Sequence, residues 1–146
     1  MNKEEAKWIL SVLRNVKFFS TFTIADIDSL LDLFIRYSFP SGKRIIKEGN
    51  EGEAFYVVYR GTVSVRMKSF LWFSKQLAEL GEGMFFGEMS LLSNDPANAT
   101  IIARGPVELY ALPRRDFQKV VAANKDLSDK ISYIAETRKL EAQLYL

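Results

Sequence analysis

Two short stretches of the sequence carry groups that suit the binding of one anion beside a hydroxyl group. The first stretch is Phe86-Gly87-Glu88-Met89-Ser90. A short helix that begins after Gly87 presents backbone amides without intrahelical partners, and these amides can point at one anion. The Glu88 carboxylate can accept a charge-assisted hydrogen bond from a hydroxyl group. The alternative interpretation is a turn glycine followed by a glutamate that the helix dipole favours.

The second stretch is Pro96-Ala97-Asn98-Ala99-Thr100, which supplies the Asn98 amide and the Thr100 hydroxyl as further polar groups. Asp95 precedes this stretch and adds a negative charge to it. Arg104 follows it and is interpreted as a solvated residue at the end of a strand. The alternative is that Arg104 reaches back to the anion.

The composition excludes most kinds of catalytic and metal site. The chain has no cysteine and no histidine, so it can hold no Ser-His-Asp or Cys-His catalytic group, no zinc site with thiolate or imidazole ligands and no His-ligated haem. An enzyme would have only isolated carboxylates such as Glu88 for acid–base chemistry. We therefore expect a protein that is not an enzyme and that needs neither a metal nor a cofactor.

Length and charge indicate one globular domain. The chain has 146 residues, of which 48% are apolar, and a formal net charge of +2. Such a small net charge does not favour a nucleic-acid partner. The N-terminus is charged, and no apolar run approaches the roughly 20 residues that a spanning helix needs. These features predict a cytoplasmic protein.

The periodicity of apolar residues predicts helices at both ends and strands between them. Residues 3 to 16 have helical spacing, and Thr23 to Asp26 form a capping-box pattern before a second helix that should bury Phe34. Residues 44 to 112 break into short strands separated by glycine turns, with alternation in Thr62 to Lys68 that predicts a solvated face including Ser64. After Pro113 the helical spacing returns. This order predicts an α+β fold whose antiparallel strands close on themselves to hide their edges.

Three segments together resemble the cyclic nucleotide-binding domain family, from about Phe19 onward. They are Gly42 to Val58, Leu80 to Leu92 and Pro96 to Thr100. The resemblance implies an antiparallel β-roll, a jelly-roll-like double-stranded β-helix, flanked by N-terminal and C-terminal helices. It also implies a phosphate-binding cassette, here residues 86 to 100, in which Glu88 holds a ribose hydroxyl. The implied ligand-binding residues are Phe86, Gly87, Glu88, Met89, Ser90, Ala97, Asn98, Ala99 and Thr100.

The cassette departs from the family pattern at one position. The family usually has Pro-Arg-Ala-Ala-Thr where this chain has Pro-Ala-Asn-Ala-Thr, so Ala97 replaces the arginine. A guanidinium makes a bidentate contact with phosphate that contributes roughly 1.5–3 kcal/mol, which is about ten- to a hundredfold in affinity. Asn98, Thr100 or Arg104 can replace part of this contact, but none has the planar fork of an arginine next to the phosphate.

The resemblance implies a regulatory module that binds cyclic AMP or cyclic GMP weakly. It divides the chain into an N-terminal helix (1–18), a β-roll with its flanking helices (19–122) and a C-terminal helix (123–146). Ile131, Tyr133 and Ile134 on the last helix are expected to form a lid over the base, and the same helix is a candidate surface for a homodimer. The alternative is an interaction module without a ligand, which would contact a protein partner or a membrane through Phe70, Leu71, Trp72 and Phe73.

Overall fold

The computed structural model describes residues 1–68 and 74–144, and these residues form two compact units. The β unit is Phe34–Arg114. The helical unit combines Met1–Leu33 with the chain from Arg115 onward. Each unit is therefore assembled with its own core.

The β unit contains two antiparallel sheets of four strands each. The first sheet has the order β1-β8-β3-β6 and the second has the order β2-β7-β4-β5. This arrangement confirms the predicted β-roll. The strands are β1 (Ile35–Phe39), β2 (Arg44–Ile46), β3 (Ala54–Arg60), β4 (Val63–Lys68), β5 (Ser74–Leu80), β6 (Phe85–Phe86), β7 (Thr100–Ala103) and β8 (Val107–Pro113).

The core of the β unit draws residues from both sheets. β3 lies between β8 and β6, and Phe55, Val57 and Val58 on this strand are fully buried. Consecutive residues of β3 point to opposite faces, and both sets are buried, which explains the continuous apolar run of this strand. The buried residues of one core cluster are Val58, Val63, Phe86, Ile101, Ala103, Val107 and Leu109.

Two details of the sequence prediction are wrong. Phe34 is buried, but it is not part of the second helix, which ends at Leu31. Its ring instead packs against that of Phe55 in the β unit, with centroids 6.4 Å apart. Ser64 is not on a solvated face, since it is only 1% exposed. Its hydroxyl donates to the Gln76 side chain at 2.8 Å, and this bond across the β4–β5 pair allows a small polar residue to be buried.

The helical unit consists of α1 (Lys3–Leu13), α2 (Ile24–Leu31), α3 (Arg114–Ala122, whose first residue belongs to the β unit) and α4 (Lys125–Leu144). The predicted capping box is confirmed: the Asp26 amide donates to the Thr23 hydroxyl, and the Thr23 amide donates to the Asp26 carboxylate. Fully buried apolar side chains from all four helices meet in this unit, and they include Ile9, Leu13, Leu30, Phe117 and Leu127.

An ion pair joins α2 to α4. The Lys130 Nζ lies 2.6 Å from Asp26 Oδ2, and Asp26 is 7% exposed. Burial alone would raise the pKa of the Asp26 carboxyl, but the hydrogen bonds from Lys130 and Thr23 outweigh burial and hold that pKa below its ordinary value of 3.8. The same hydrogen bond to Asp26 raises the pKa of the Lys130 ammonium. The folded state therefore favours the charged form of both groups.

We expect Asp26→Asn to lower the free energy of unfolding at pH 7 by about 1–2 kcal/mol, because it removes a charge-assisted contact from a capping box. A lowered pKa stabilises the fold fully above pH 3.8, and this contribution is lost as the pH falls through the folded-state pKa. The difference in free energy of unfolding between wild type and variant, measured by denaturant titration, should therefore shrink below pH 3.8. Asp126→Asn is the control, since Asp126 also contacts Lys130 but is 70% exposed. An equal loss in the control would contradict the prediction.

Candidate functional site

A cavity of about 880 Å³ opens in the β unit, a volume within the usual range of small-molecule sites. Its wall combines apolar residues from both sheets with polar residues from the cassette and from the turn at residues 47 to 53. The apolar part includes Ile46, Val65, Leu80, Phe86 and Ile101. Such a site can accept a flat apolar group on one side and a polar group on the other.

Gly87 sets the shape of the cassette. Its φ of 80° lies in the left-handed region, and a Cβ there would lie 2.8 Å from the backbone oxygen of Ala54. A residue without a side chain is therefore required both by conformation and by space. The chain can then turn directly from β6 into the 3₁₀ helix Glu88–Leu91.

The first amides of this 3₁₀ helix are placed at the cavity. The Ser90 amide donates to the Gly87 carbonyl at 3.0 Å, which is the first hydrogen bond of the helix. The amides of Glu88 and Met89 precede that bond and so have no intrahelical partner. Both residues line the cavity, so these amides and the Glu88 carboxylate are the candidate contacts for a ligand.

The second stretch of the cassette is fixed to the turn at residues 49 to 52. The Ala97 amide donates to the Asn50 carbonyl at 2.7 Å, and the Gly49 amide donates to the Ala97 carbonyl at 2.8 Å. Gly52 contacts the cassette so closely that a Cβ on it would overlap the Ser90 hydroxyl. These contacts bring the Gly87 stretch, the Ala97 stretch and the turn at residues 49 to 52 to one cavity.

Eight of the nine predicted ligand-binding residues line the cavity: Phe86, Gly87, Glu88, Met89, Ser90, Ala97, Asn98 and Ala99. Thr100 does not line it, and its hydroxyl instead accepts from the Glu48 amide at 3.0 Å. Arg104 does not reach back to the cassette either. Its guanidinium lies 3.3 Å from Gln76 Oε1 and 3.7 Å from Glu79 Oε1, because the strand β7 ends one residue earlier and directs it to β5.

The charges around the cavity are mainly negative. Lys47 is the basic side chain among the described residues that line it, whereas Glu51, Glu53, Glu88 and Asp95 are carboxylates. Sequence reasoning passed over Lys47, because nothing in the local pattern distinguishes it from the neighbouring Lys43 and Arg44. An anion in this cavity would gain less from side-chain charge than one held by an arginine.

Tyr56 is another lining residue that the sequence prediction missed. Its ring stacks on that of Phe86, with centroids 5.0 Å apart and planes 18° from parallel. Burial, and then the nearby Glu53 carboxylate, raise the pKa of the Tyr56 hydroxyl above its ordinary value of 10.0. Tyr56 therefore stays neutral and can donate a hydrogen bond. In the sequence, the only signal that Tyr56 lines the cavity was its position on a strand that follows a glycine-containing turn.

The other predicted contact residues lie elsewhere in the chain. Ile131, Tyr133 and Ile134 are on α4 in the helical unit, and Tyr133 is 65% exposed there. The segment Phe70, Leu71, Trp72 and Phe73 lies outside the described residues. Among the helices that the structure describes, none combines the length and the apolar character needed to cross a membrane.

Comparison with known proteins gives consistent matches. A family model described as "Cyclic nucleotide-binding domain" matches residues 36–124. The chain is 33% identical over 121 residues to the cyclic AMP receptor protein of Thermus thermophilus, covering 83% of this chain and 56% of that protein. It is also 33% identical over 100 residues to the cAMP-dependent protein kinase type II regulatory subunit of Drosophila melanogaster, covering 68% of this chain and 26% of that protein.

A solved structure shows the same arrangement of strands and helices. The N-terminal domain of a transcriptional regulator from Streptomyces coelicolor A3(2) matches with a TM-score of 0.76 and 25% identity, over 90% of this chain and 94% of that one. The curated relatives are longer: the chain spans 18% of a cGMP-dependent protein kinase of Caenorhabditis briggsae and 56% of the Thermus protein. The family match, however, includes the whole cassette and nearly all of both sheets. The chain belongs to the cyclic nucleotide-binding domain family.

Proposed function

We propose that this chain is a regulatory module that binds a cyclic nucleotide, cyclic AMP or cyclic GMP, with low affinity. The observation that carries the proposal is the cavity at Gly87, where the amides of Glu88 and Met89 and the Glu88 carboxylate are grouped beside an apolar wall. The module has no catalytic step in this proposal. Binding itself is the function.

Each part of the ligand has a matching part of the cavity. The cyclic phosphate accepts hydrogen bonds from the amides at the start of the 3₁₀ helix, and the ribose hydroxyl donates to Glu88. The base lies against the apolar wall that includes Val65 and Leu80. Because Ala97 has no guanidinium and carboxylates predominate at the cavity, the phosphate contributes less binding energy than an arginine would allow.

Regulation requires that the bound and free states differ. We assign this role to residues 123–146, with Ile131, Tyr133 and Ile134 as the lid over the base, and residues 19–122 as the ligand-binding part. Residues 1–18 form the remaining helical part. Ligand can shift the populations of open and closed lid states only by its difference in affinity for them. Weak binding therefore raises the ligand concentration that the response requires, whereas the difference in affinity between the two states sets its size.

Titration calorimetry with cyclic AMP and cyclic GMP tests the proposal. Saturable heat with a dissociation constant in the micromolar to millimolar range supports it, and the stronger of the two ligands identifies the messenger. No heat and no rise in melting temperature at millimolar ligand would reject it, because a ligand that binds the folded state raises its stability.

Glu88→Gln is expected to weaken cyclic nucleotide binding about tenfold, because a charge-assisted hydrogen bond to ribose becomes a neutral one. The 2′-deoxy analogue provides the second readout. It should bind the wild type about tenfold more weakly than the parent nucleotide, and this difference should largely disappear in Glu88→Gln. Glu82→Gln is the control, since Glu82 is exposed and is not among the cavity residues. Equal loss for both ligands in Glu88→Gln would contradict the assignment to ribose.

The second candidate function is an interaction module that has kept the fold without the ligand. The replacement at Ala97 and the carboxylates at Glu53 and Asp95 favour this candidate. Its proposed contact surface is Phe70 to Phe73, with a homodimer through the C-terminal helix as a further alternative. A flat titration together with concentration-dependent association in ultracentrifugation would support this candidate over the first.

A further inference from the structure

Arg114 makes several contacts with the two chain segments that form the rim of the cavity. Its guanidinium donates to the Gly52 carbonyl and, at 3.1 Å, to the Ser93 carbonyl. The same group forms an ion pair with the Glu51 carboxylate at 2.9 Å. Its side chain is 17% exposed, so these contacts are partly shielded from water.

The contact partners belong to the ligand cavity, although Arg114 itself is not among its lining residues. Glu51, Gly52 and Ser93 all line the cavity. The backbone of Arg114 adds a fourth contact, because its amide donates to the Glu53 carbonyl at 2.9 Å. Arg114, directly after β8, is thus bonded to the turn before β3 and to the segment that follows the 3₁₀ helix.

We propose that Arg114 positions the two sides of the cavity rim for the ligand, and this inference rests on the proposed function of the cavity. Its planar fork can hold two carbonyls and a carboxylate at once, which a lysine cannot do with the same geometry. With the rim fixed, the Gly52 amide donates to Asp95 and the Ala97 amide donates to Asn50. Arg114 therefore acts on the ligand through the rim and does not touch it.

A general structural role is the competing explanation, and the two roles predict different results. An arginine that only stabilised the fold would change the melting temperature and leave the affinity of the folded protein unchanged. A positioning residue changes the affinity when it is measured well below the melting temperature. It also changes the local protection of the rim amides while the rest of the sheet is unaffected.

The test is Arg114→Met, with Arg115→Met as the matched control because Arg115 is the exposed neighbour. Cyclic AMP and cyclic GMP titrations at low temperature should show about tenfold weaker binding for Arg114→Met and no change for the control. Arg114→Lys should be intermediate. An Arg114→Met affinity within twofold of wild type, or an equal loss in the control, would overturn the proposal.

Amide hydrogen exchange measured without ligand tests the role of Arg114 whether or not the cavity binds a nucleotide. The amides of Gly49, Gly52 and Ala97 should exchange faster in Arg114→Met, and the amides of β1 should not. If the wild type binds no nucleotide, the proposed function fails and this exchange experiment alone decides the role of Arg114, with unchanged rim exchange overturning it. If Arg114→Met does not fold, Glu51→Gln removes the ion pair and keeps the two carbonyl contacts of Arg114. Because Glu51 also lines the cavity, the readout for this variant is amide exchange: the rim amides should exchange faster than in the wild type, and unchanged exchange would overturn the proposal.

Discussion

Ala97→Arg is expected to tighten the binding of a cyclic nucleotide by about ten- to a hundredfold, since a bidentate guanidinium contact with phosphate contributes roughly 1.5–3 kcal/mol. The structure favours this gain because Ala97 already lines the cavity and its backbone is held by two hydrogen bonds to the turn at Gly49 and Asn50. The new side chain would thus start from a fixed position. Calorimetry with the variant and the wild type measures the change.

Asn94→Arg is the matched control for this gain. Asn94 is exposed and is not among the cavity residues, so this variant adds the same charge to the same loop without direct access to the ligand. Its long-range effect on affinity should be small and should vanish at high ionic strength. A second readout is selectivity: Ala97→Arg should strengthen binding of cyclic AMP but not of adenosine. Equal gains for both ligands, or equal gains in both variants, would show that the phosphate is not next to residue 97.

Gly87→Ala is expected to weaken ligand binding by about a hundredfold. Two costs add at this position: an alanine at a φ of 80° is strained, and its Cβ would lie 2.8 Å from the Ala54 oxygen. Together they destabilise the native backbone arrangement at this position by roughly 2–4 kcal/mol, so the backbone shifts. The local solution is to move the 3₁₀ helix away from β3, which displaces the amides of Glu88 and Met89. The measurement is the cyclic nucleotide affinity of the folded variant.

Gly83→Ala separates the two costs. Gly83 has nearly the same φ, 81°, but a Cβ there has no neighbour within 4 Å. Its replacement should lower the free energy of unfolding by about 1 kcal/mol through the backbone alone and should leave binding nearly unchanged. If Gly83→Ala weakens binding as strongly as Gly87→Ala, then the close approach to Ala54 does not shape the site.

Much of the fold was predictable because its signals are local. The Thr23 and Asp26 side chains form the expected capping box, and the apolar run at Phe55 identified a strand covered on both faces. β1 was not predicted, because its Ile-Arg-Tyr-Ser-Phe sequence lies between a helix and Pro40 and has mostly exposed residues. Its pairing with β8 is what makes it a strand, and that partner is more than 60 residues away in the chain.

The same distinction explains which parts of the site were predicted. Gly87 and Glu88 are adjacent, so their pattern can be recognised in a short window. Arg114 could not be identified in this way, since its partners Gly52 and Ser93 are 62 and 21 residues away. Arg104 shows the converse case: it is close to the cassette in sequence, but the direction of its strand carries its side chain to Glu79.

The order of the first sheet also has a consequence for biosynthesis. β8 lies between β1 and β3, although it is the last of the four strands of this sheet in the chain. While the ribosome is still translating the segment before Val107, β1 lacks its partner and one edge of β3 is open. Unpaired edges of this kind can join strands of other chains. Nascent chains that stall before this point should therefore depend on chaperones, and truncation within β8 should cause aggregation even though the cassette sequence is intact.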